Sequence, residues 1–494
     1  MNKMSLYDRL GLPRDASQEE IRLAYRQLVL HLHPDTNVSK GETELFIDIQ
    51  QAYEHLSDPE RKVDYDHQLP EEQILTSPLN VLTYYSQSSL VRLSEPQLVY
   101  SLLALKIDPD TSQLASSIPL NISLVVDCST SMQGIRLDTV KSTAIDLVRQ
   151  LQPSDIFSLV KFNDRAELLI PAGSQSDIKS TEMKIQLLQA GGGTEIFKGL
   201  ELGFSQVNQY WSSNRVNHII LITDGRTYGD EESCDKLADQ SSALGISISA
   251  LGIGSQWNDK FLDHLTSKTA GICKYVSDIS DIRNSILGEI SRLGSNLTEQ
   301  IILNYRTPPE VELNSAFRLH PDSSPLVLGP PLIFGLMPSH GTMNILFEFV
   351  IKEIPSTLTN ITLAKGFLNY EIPRHTTKTK YVQRLILDRQ ITREIVHEVP
   401  PTTILDAMTY INLYFMHEHA RLEMAEGDII SATRHMENLA THLFRKGEDD
   451  LAQTVLNEVA YIHRNQTFSE DGEKRIKYGT RSLLLPAGNE EINS

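Results

Sequence analysis

Apolar positions in the first seventy residues recur every three or four places. Ile21, Leu23, Ala24, Leu28 and Leu30 follow a helix start at Asp15-Ala-Ser-Gln-Glu-Glu, and the run breaks at Pro34. A second helix carries Leu45, Phe46, Ile49, Ala52, Tyr53 and Leu56 on one face and stops at Ser57-Asp58-Pro59. Residues 1–70 therefore read as a small all-α unit, and 71–117 as a linker leading into a first strand at Gln97–Ile107. From Asn121 short apolar runs (Ile122–Asp127, Ile156–Phe162, His218–Asp224, Ile246–Ile253) alternate with helical stretches. Continuous apolar strands need cover on both faces. Residues 118–295 are thus predicted to form an α/β, doubly wound, Rossmann-like domain with a mostly parallel sheet.

Helical periodicity then disappears. Residues 296–395 carry alternating segments such as Ile345-Leu-Phe-Glu-Phe-Val-Ile351, as an antiparallel β-module does. With the earlier strand they are expected to form one β-sandwich from which the α/β domain projects. Residues 400–465 return to helix, punctuated by Gly427-Asp428 and Lys446-Gly447-Glu448 into hairpins, and 466–494 reads as a tail. The expected fold class is therefore multidomain.

Composition narrows the function. The 494 residues are 40% hydrophobic and 22% charged, as in a globular chain. A formal net charge of −19 disfavours a general nucleic-acid role, because phosphate is bound by Lys and Arg. No apolar run approaches the roughly 18 residues of a bilayer span, and Met1–Leu12 has no secretory apolar region. Three cysteines, Cys128, Cys234 and Cys273, without C-x-x-C spacing fit a reducing, cytoplasmic setting.

The stretch Ala24-Tyr-Arg-Gln-Leu-Val-Leu-His-Leu-His33-Pro34-Asp35 resembles the J-domain (DnaJ-like) family. Tyr7-Asp-Arg-Leu-Gly-Leu, Ala52-Tyr53, Leu56-Ser57-Asp58, Arg61-Lys62 and Tyr65-Asp66 match it in order. The resemblance implies docking onto a DnaK-type heat-shock chaperone, whose ATPase it would stimulate, through His33, Pro34, Asp35 and a helix face of Arg22, Tyr25 and Arg26. Gln27 and His31 stand where the family often has Lys or Arg.

The second motif is Asp127-Cys-Ser129-Thr-Ser131, between a strand and a helix. Hydroxyls at alternate positions after a strand-end Asp can aim oxygens at one spot. Gly191-Gly-Gly-Thr194 adds another hydroxyl, and Thr223-Asp224-Gly225 ends a second strand. In a doubly wound sheet these ends meet at the carboxyl edge, where ligands bind. The five residues Asp127, Ser129, Ser131, Thr194 and Asp224 resemble the metal-ion-dependent adhesion site of von Willebrand factor A domains. That resemblance implies Ser129 and Ser131 as direct ligands and Asp127 and Asp224 acting largely through water. Thr194 would ligate in one conformation, and a protein partner would supply an acidic side chain to the metal. Hard oxygen donors suit Mg²⁺, with Mn²⁺ or Ca²⁺ left open.

No catalytic constellation emerges: there is no H-E-x-x-H, no G-x-S-x-G and no Lys-Ser/Thr after Gly191-Gly-Gly. His417 and His419 read as surface histidines. The expectation is a non-enzymatic co-chaperone-type adaptor. The alternative is an intracellular scaffold or AAA+ ATPase partner whose J-domain only docks.

Overall fold

The computed structural model describes residues 6–12, 16–32, 49–68, 77–93, 95–107, 118–175, 177–227, 229–339, 341–373, 378–393 and 399–484. His33, Pro34 and Asp35 lie outside them, as do Leu45 and Phe46. The strands are β1 (Leu79–Tyr85), β2 (Ser89–Val91), β3 (Gln97–Ile107), β4 (Leu120–Asp127), β5 (Ile156–Phe162), β6 (Ala166–Gly173), β7 (Val216–Thr223), β8 (Ser247–Ile253) and β9 (Cys273–Val276). They continue as β10 (Asn296–Arg306), β11 (Val311–His320), β12 (Ser324–Pro325), β13 (Leu332–Pro338), β14 (Thr342–Ile351), β15 (Asn360–Pro373) and β16 (Lys378–Thr392).

The central sheet has the order β6-β5-β4-β7-β8-β9 and is parallel except for β6 at its edge. Every residue of β4, β7 and β8 is buried, and some of the buried polar side chains among them are hydrogen-bonded to one another, as Asn121 is to Asn217 and His218 to Ser249. Leu137, Val140, Ala144 and Leu147 of the Ile135–Gln150 helix cover one face with Ile282 and Ile286 of the Ser280–Gly294 helix. Ile196, Leu200 and Val207 of the Ile196–Gln209 helix cover the other. That helix lies so close to the sheet that a Cβ on Gly203 would come within 2.6 Å of Val125.

The flanks meet as the sequence pattern predicts. One sheet, β1-β3-β14-β11-β12, joins strands from before and after the α/β domain, and β13-β10-β15-β16-β2 packs against it. Val99, Leu103, Phe334, Phe347 and Phe349 fill the space between. The helices Thr402–Glu426, Ile429–Lys446 and Asp449–Asn465 turn at Gly427 and Gly447, both at positive φ, where a side chain is strained. Ile404, Ala407 and Ile411 of the first helix also cover Tyr100, Leu102 and Leu346 on the outer sandwich face. No helix among the described residues is long and apolar enough to cross a membrane.

Two expectations change here. The stretch 466–494 is not all tail, because Glu470–Ser482 is a helix capped by Ser469, whose hydroxyl accepts from Gly472 N at 3.0 Å. Its inward side bears Lys474, Lys477 and Arg481, so it shows no wholly apolar stripe. His417 is not a surface residue. It is fully buried, packed edge-on to Phe468, and burial lowers its pKa.

The N-terminal unit packs Tyr7, Leu10, Ile21, Ile49, Ala52 and Leu56 together with Phe367 of β15. Ser17 and Glu20 cap each other: Ser17 N donates to Glu20 Oε2 at 2.8 Å, and Glu20 N donates to Ser17 Oγ at 3.3 Å.

Candidate functional site

The carboxyl ends of β4 and β7 are adjacent, so Asp127 and the Thr223-Asp224 turn are brought together by parallel pairing alone. Asp127 is fully buried. Its Oδ1 accepts from Ser129 N at 2.7 Å, and its Oδ2 accepts from Thr223 Oγ1 at 2.6 Å. Burial pushes its pKa up to about 6, against the opposing pull of those hydrogen bonds. Ser129 Oγ lies 3.0 Å from Ser131 Oγ, and Ser131 Oγ donates to Asp224 Oδ1 at 2.6 Å. These oxygens converge on one spot.

Thr194 lies against the turn after Asp224, since a Cβ on Gly225 would come within 2.8 Å of Thr194 Oγ1. Its loop is pinned to the first motif: Gly191 N donates to Cys128 O at 2.8 Å and Thr130 N to Gly192 O at 3.1 Å. Gly192 takes φ +87°, and a Cβ there would meet Asp164 Oδ2 at 2.4 Å, so the tight return requires glycine. All five residues singled out from sequence thus occupy one pole of the α/β domain.

Two participants were missed. Thr223 orients Asp127, and Arg136 Nη1 pairs with Asp224 Oδ2 at 2.6 Å while remaining partly exposed. Arg136 sits in the first turn of the following helix, and nearness to Ser131 in the chain is its only sequence signal. Among the described residues no group of three His, Cys, Asp or Glu side chains could hold a metal. The donor set is instead rich in hydroxyls.

The N-terminal unit presents a different kind of site. Arg22 and Arg26, one helical turn apart, are exposed, and Tyr25 stacks on Tyr53 with ring centroids 4.0 Å apart. Glu19 and Glu20, at the start of the same helix, pair with Arg306 at 3.3 Å and Arg384 at 3.2 Å on the sandwich. The unit is therefore tied to the sandwich at the start of this helix, while Arg22 and Arg26 stay exposed.

Comparison with known proteins agrees with this division. Residues 5–66 match the family model of the DnaJ domain, 121–288 that of the von Willebrand factor type A domain, and 402–486 the Sll0103-like, C-terminal alpha-helical domain. An uncharacterised protein, sll0103, of Synechocystis sp. is 35% identical over 165 residues, 33% of this chain and 39% of that protein. Chaperone protein DnaJ of Streptococcus agalactiae is 47% identical over 66 residues, 13% of this chain and 18% of that protein. The chain thus spans less than half the length of either relative. A von Willebrand factor type A structure from Catenulispora acidiphila superposes with TM-score 0.65 at 12% identity, covering 83% of this chain and 98% of that one. The ArnB paralog VWA2 of Sulfolobus acidocaldarius does so at 0.52 and 16%, covering 82% and 98%. Such identities establish shared fold. Residues 5–66 are a DnaJ domain and residues 121–288 a von Willebrand factor type A domain, carried in one chain with a sandwich and a Sll0103-like helical domain.

Proposed function

We propose that this protein is a cytoplasmic co-chaperone-type adaptor, stimulating a DnaK-type chaperone ATPase through its J-domain and holding a protein partner at the A domain. One observation carries the first half. The J-domain is seated on the sandwich through Glu19 and Glu20 at the start of its second helix, with Arg22 and Arg26 of that helix left exposed to a partner. The J-domain would do no chemistry itself. It would favour, by differential binding, the hydrolysing state of the ATPase. His33, Pro34 and Asp35 would complete the docking surface.

The A-domain half rests on the converging oxygens of Ser129, Ser131 and Asp224. This donor chemistry fits a small hard cation, Mg²⁺ first and Mn²⁺ or Ca²⁺ as alternatives, with Thr194 and Asp127 completing the group. Bound there, the ion would supply positive charge to an acidic side chain of the partner. With only two carboxylates around it, the site would retain attraction for that acid.

Single-turnover ATP hydrolysis by the host's DnaK-type chaperones tests the first half. Added protein is expected to accelerate hydrolysis, and His33→Gln to return the rate to that of the chaperone alone. Absence of acceleration by wild type with every host chaperone would refute it. For the second half, Ser129→Ala with Ser131→Ala is expected to abolish Mn²⁺ binding followed by electron paramagnetic resonance. Binding that survives both substitutions would remove these residues from the metal site.

A further inference from the structure

We infer that Arg136 is a second reader of the partner's acid at the A-domain pole, its guanidinium sharing that carboxylate with the metal ion. The inference rests on the metal reading proposed above and goes beyond it, because none of the five residues singled out from the sequence carries positive charge.

The geometry begins at Asp224, whose side chain is fully buried. Its Oδ1 accepts from Ser131 Oγ at 2.6 Å, and its Oδ2 accepts from Arg136 Nη1, also at 2.6 Å. One carboxylate therefore touches the hydroxyl cluster with one oxygen and the guanidinium with the other. The same Nη1 lies 3.4 Å from Ser131 O. These contacts use one corner of a planar fork of donors. Nε and Nη2 engage no partner among the described residues, and the side chain is 37% exposed. Behind Nη2 stands the turn after β8, where a Cβ on Gly254 would come within 3.2 Å of it. Gly254 takes φ +67°, and its carbonyl accepts from Trp257 Nε1 at 2.6 Å. The guanidinium is thus fixed by a buried carboxylate and a tied backbone turn, with donors left over for an acid arriving from solvent.

Charge gives those donors a use. Asp127 and Asp224 formally match the two charges of a divalent ion, and Arg136 adds a full positive charge in contact with that set. Arg226, two positions after Asp224, is already committed: its Nη2 donates to Glu470 Oε1 at 2.8 Å and its Nε to Gln256 O at 3.1 Å. A planar fork beside a cation suits a carboxylate and not a neutral amide, so the partner presents an Asp or Glu.

The test uses the full chain, Mn²⁺, and N-acetylaspartic acid α-methylamide, with its asparagine counterpart as the neutral comparison. Electron paramagnetic resonance gives the Mn²⁺ affinity, and water-proton relaxation of the Mn²⁺-loaded protein gives the affinity for the acid. Arg136→Gln is expected to weaken binding of the aspartyl compound about tenfold, as loss of a charge-assisted contact requires. Its Mn²⁺ affinity is expected to hold or rise, because a like charge has been removed from the ion's surroundings. An arginine that only positions Asp224 would lower both affinities together. Arg136→Lys, which leaves a cation for Asp224, is expected to lose about threefold for the acid, since an ammonium lacks the fork. Acid affinity at the wild-type level in either variant would overturn the assignment, as would Mn²⁺ affinity falling in step with acid affinity. Wild type that binds no Mn²⁺ would instead refute the metal reading itself, and the shared contact with it.

Discussion

Replacing Asp263 with alanine is expected to destabilise the packing of the C-terminal helices on the A domain by about 3–5 kcal/mol. Asp263 sits on the Asp259–Lys268 helix, nearly buried, and takes a two-pronged contact from Arg481, with Nη1 at 2.8 Å and Nη2 at 3.0 Å. Lys477 bridges Asp263 and Asp259, and Arg421 joins Asp259 to Glu418 and Glu473. Lys477, Arg481 and Arg421 are themselves almost fully buried. Such a cluster is a weak source of net stability while intact, because desolvation offsets much of the attraction. Removing one member is another matter. Asp263 is the only carboxylate paired with Arg481 among the described residues, so its loss leaves a buried guanidinium uncompensated.

Burial alone would raise the pKa of Asp263, but Arg481 and Lys477 hold it well below the usual carboxylate range. The contribution is therefore present above the ordinary carboxylate pKa of about 3.9 and is lost as pH falls through the folded value. Native-state hydrogen exchange across the Glu470–Ser482 helix would read the effect at neutral pH. Protection unchanged by Asp263→Ala would mean that the cluster contributes nothing to docking.

That cluster also marks where sequence reasoning ends. The α/β domain was legible because strands buried on both faces must be largely apolar, and β4 and β7 are, apart from the buried Asn121, Ser123, Asn217 and His218 and the polar residues at their carboxyl ends. The five-residue pole was legible for the same reason: once the strand order is parallel, the ends of β4 and β7 are neighbours, and their terminal residues follow. Arg136 escaped because nothing in its own stretch says that it turns back onto Asp224. The Asp259–Asp263 pair and the Lys477–Arg481 pair stand more than two hundred positions apart. The second pair lies in the stretch that reads as a tail, and only tertiary packing brings the two pairs together. His417 misled in the same way, since the neighbouring Glu418 and His419 suggested a solvated face that Phe468 in fact covers.

A second large effect is expected on acidification, from a different group. His218 lies in the middle of β7, completely buried, with Nε2 2.9 Å from Ser249 Oγ and 3.5 Å from Glu289 Oε1. Burial drives its pKa down to about 4. The Glu289 carboxylate works against that and Arg292 adds to it. Above the ordinary histidine value of 6.5 the ring is neutral in both folded and unfolded chains, and pH has no leverage through it. Between 6.5 and about 4 the unfolded chain binds a proton that the folded one refuses, so stability falls as pH falls. From pH 7 to pH 5 the loss is about 2 kcal/mol, approaching roughly 3 kcal/mol once pH reaches the folded value. Glu289 titrates in a separate window. Arg292 holds its carboxyl down to about 2 although burial opposes this, so its contribution persists until pH drops below 4.5. His218→Asn removes the first window and leaves the second. Hydrogen exchange in Val216–Thr223, followed from pH 7 to pH 5 after correction for intrinsic rates, is expected to show wild type losing protection relative to the variant, while Asp127, with its pKa pushed up to about 6, titrates alike in both. Equal decline in both proteins would assign the acid sensitivity to other groups.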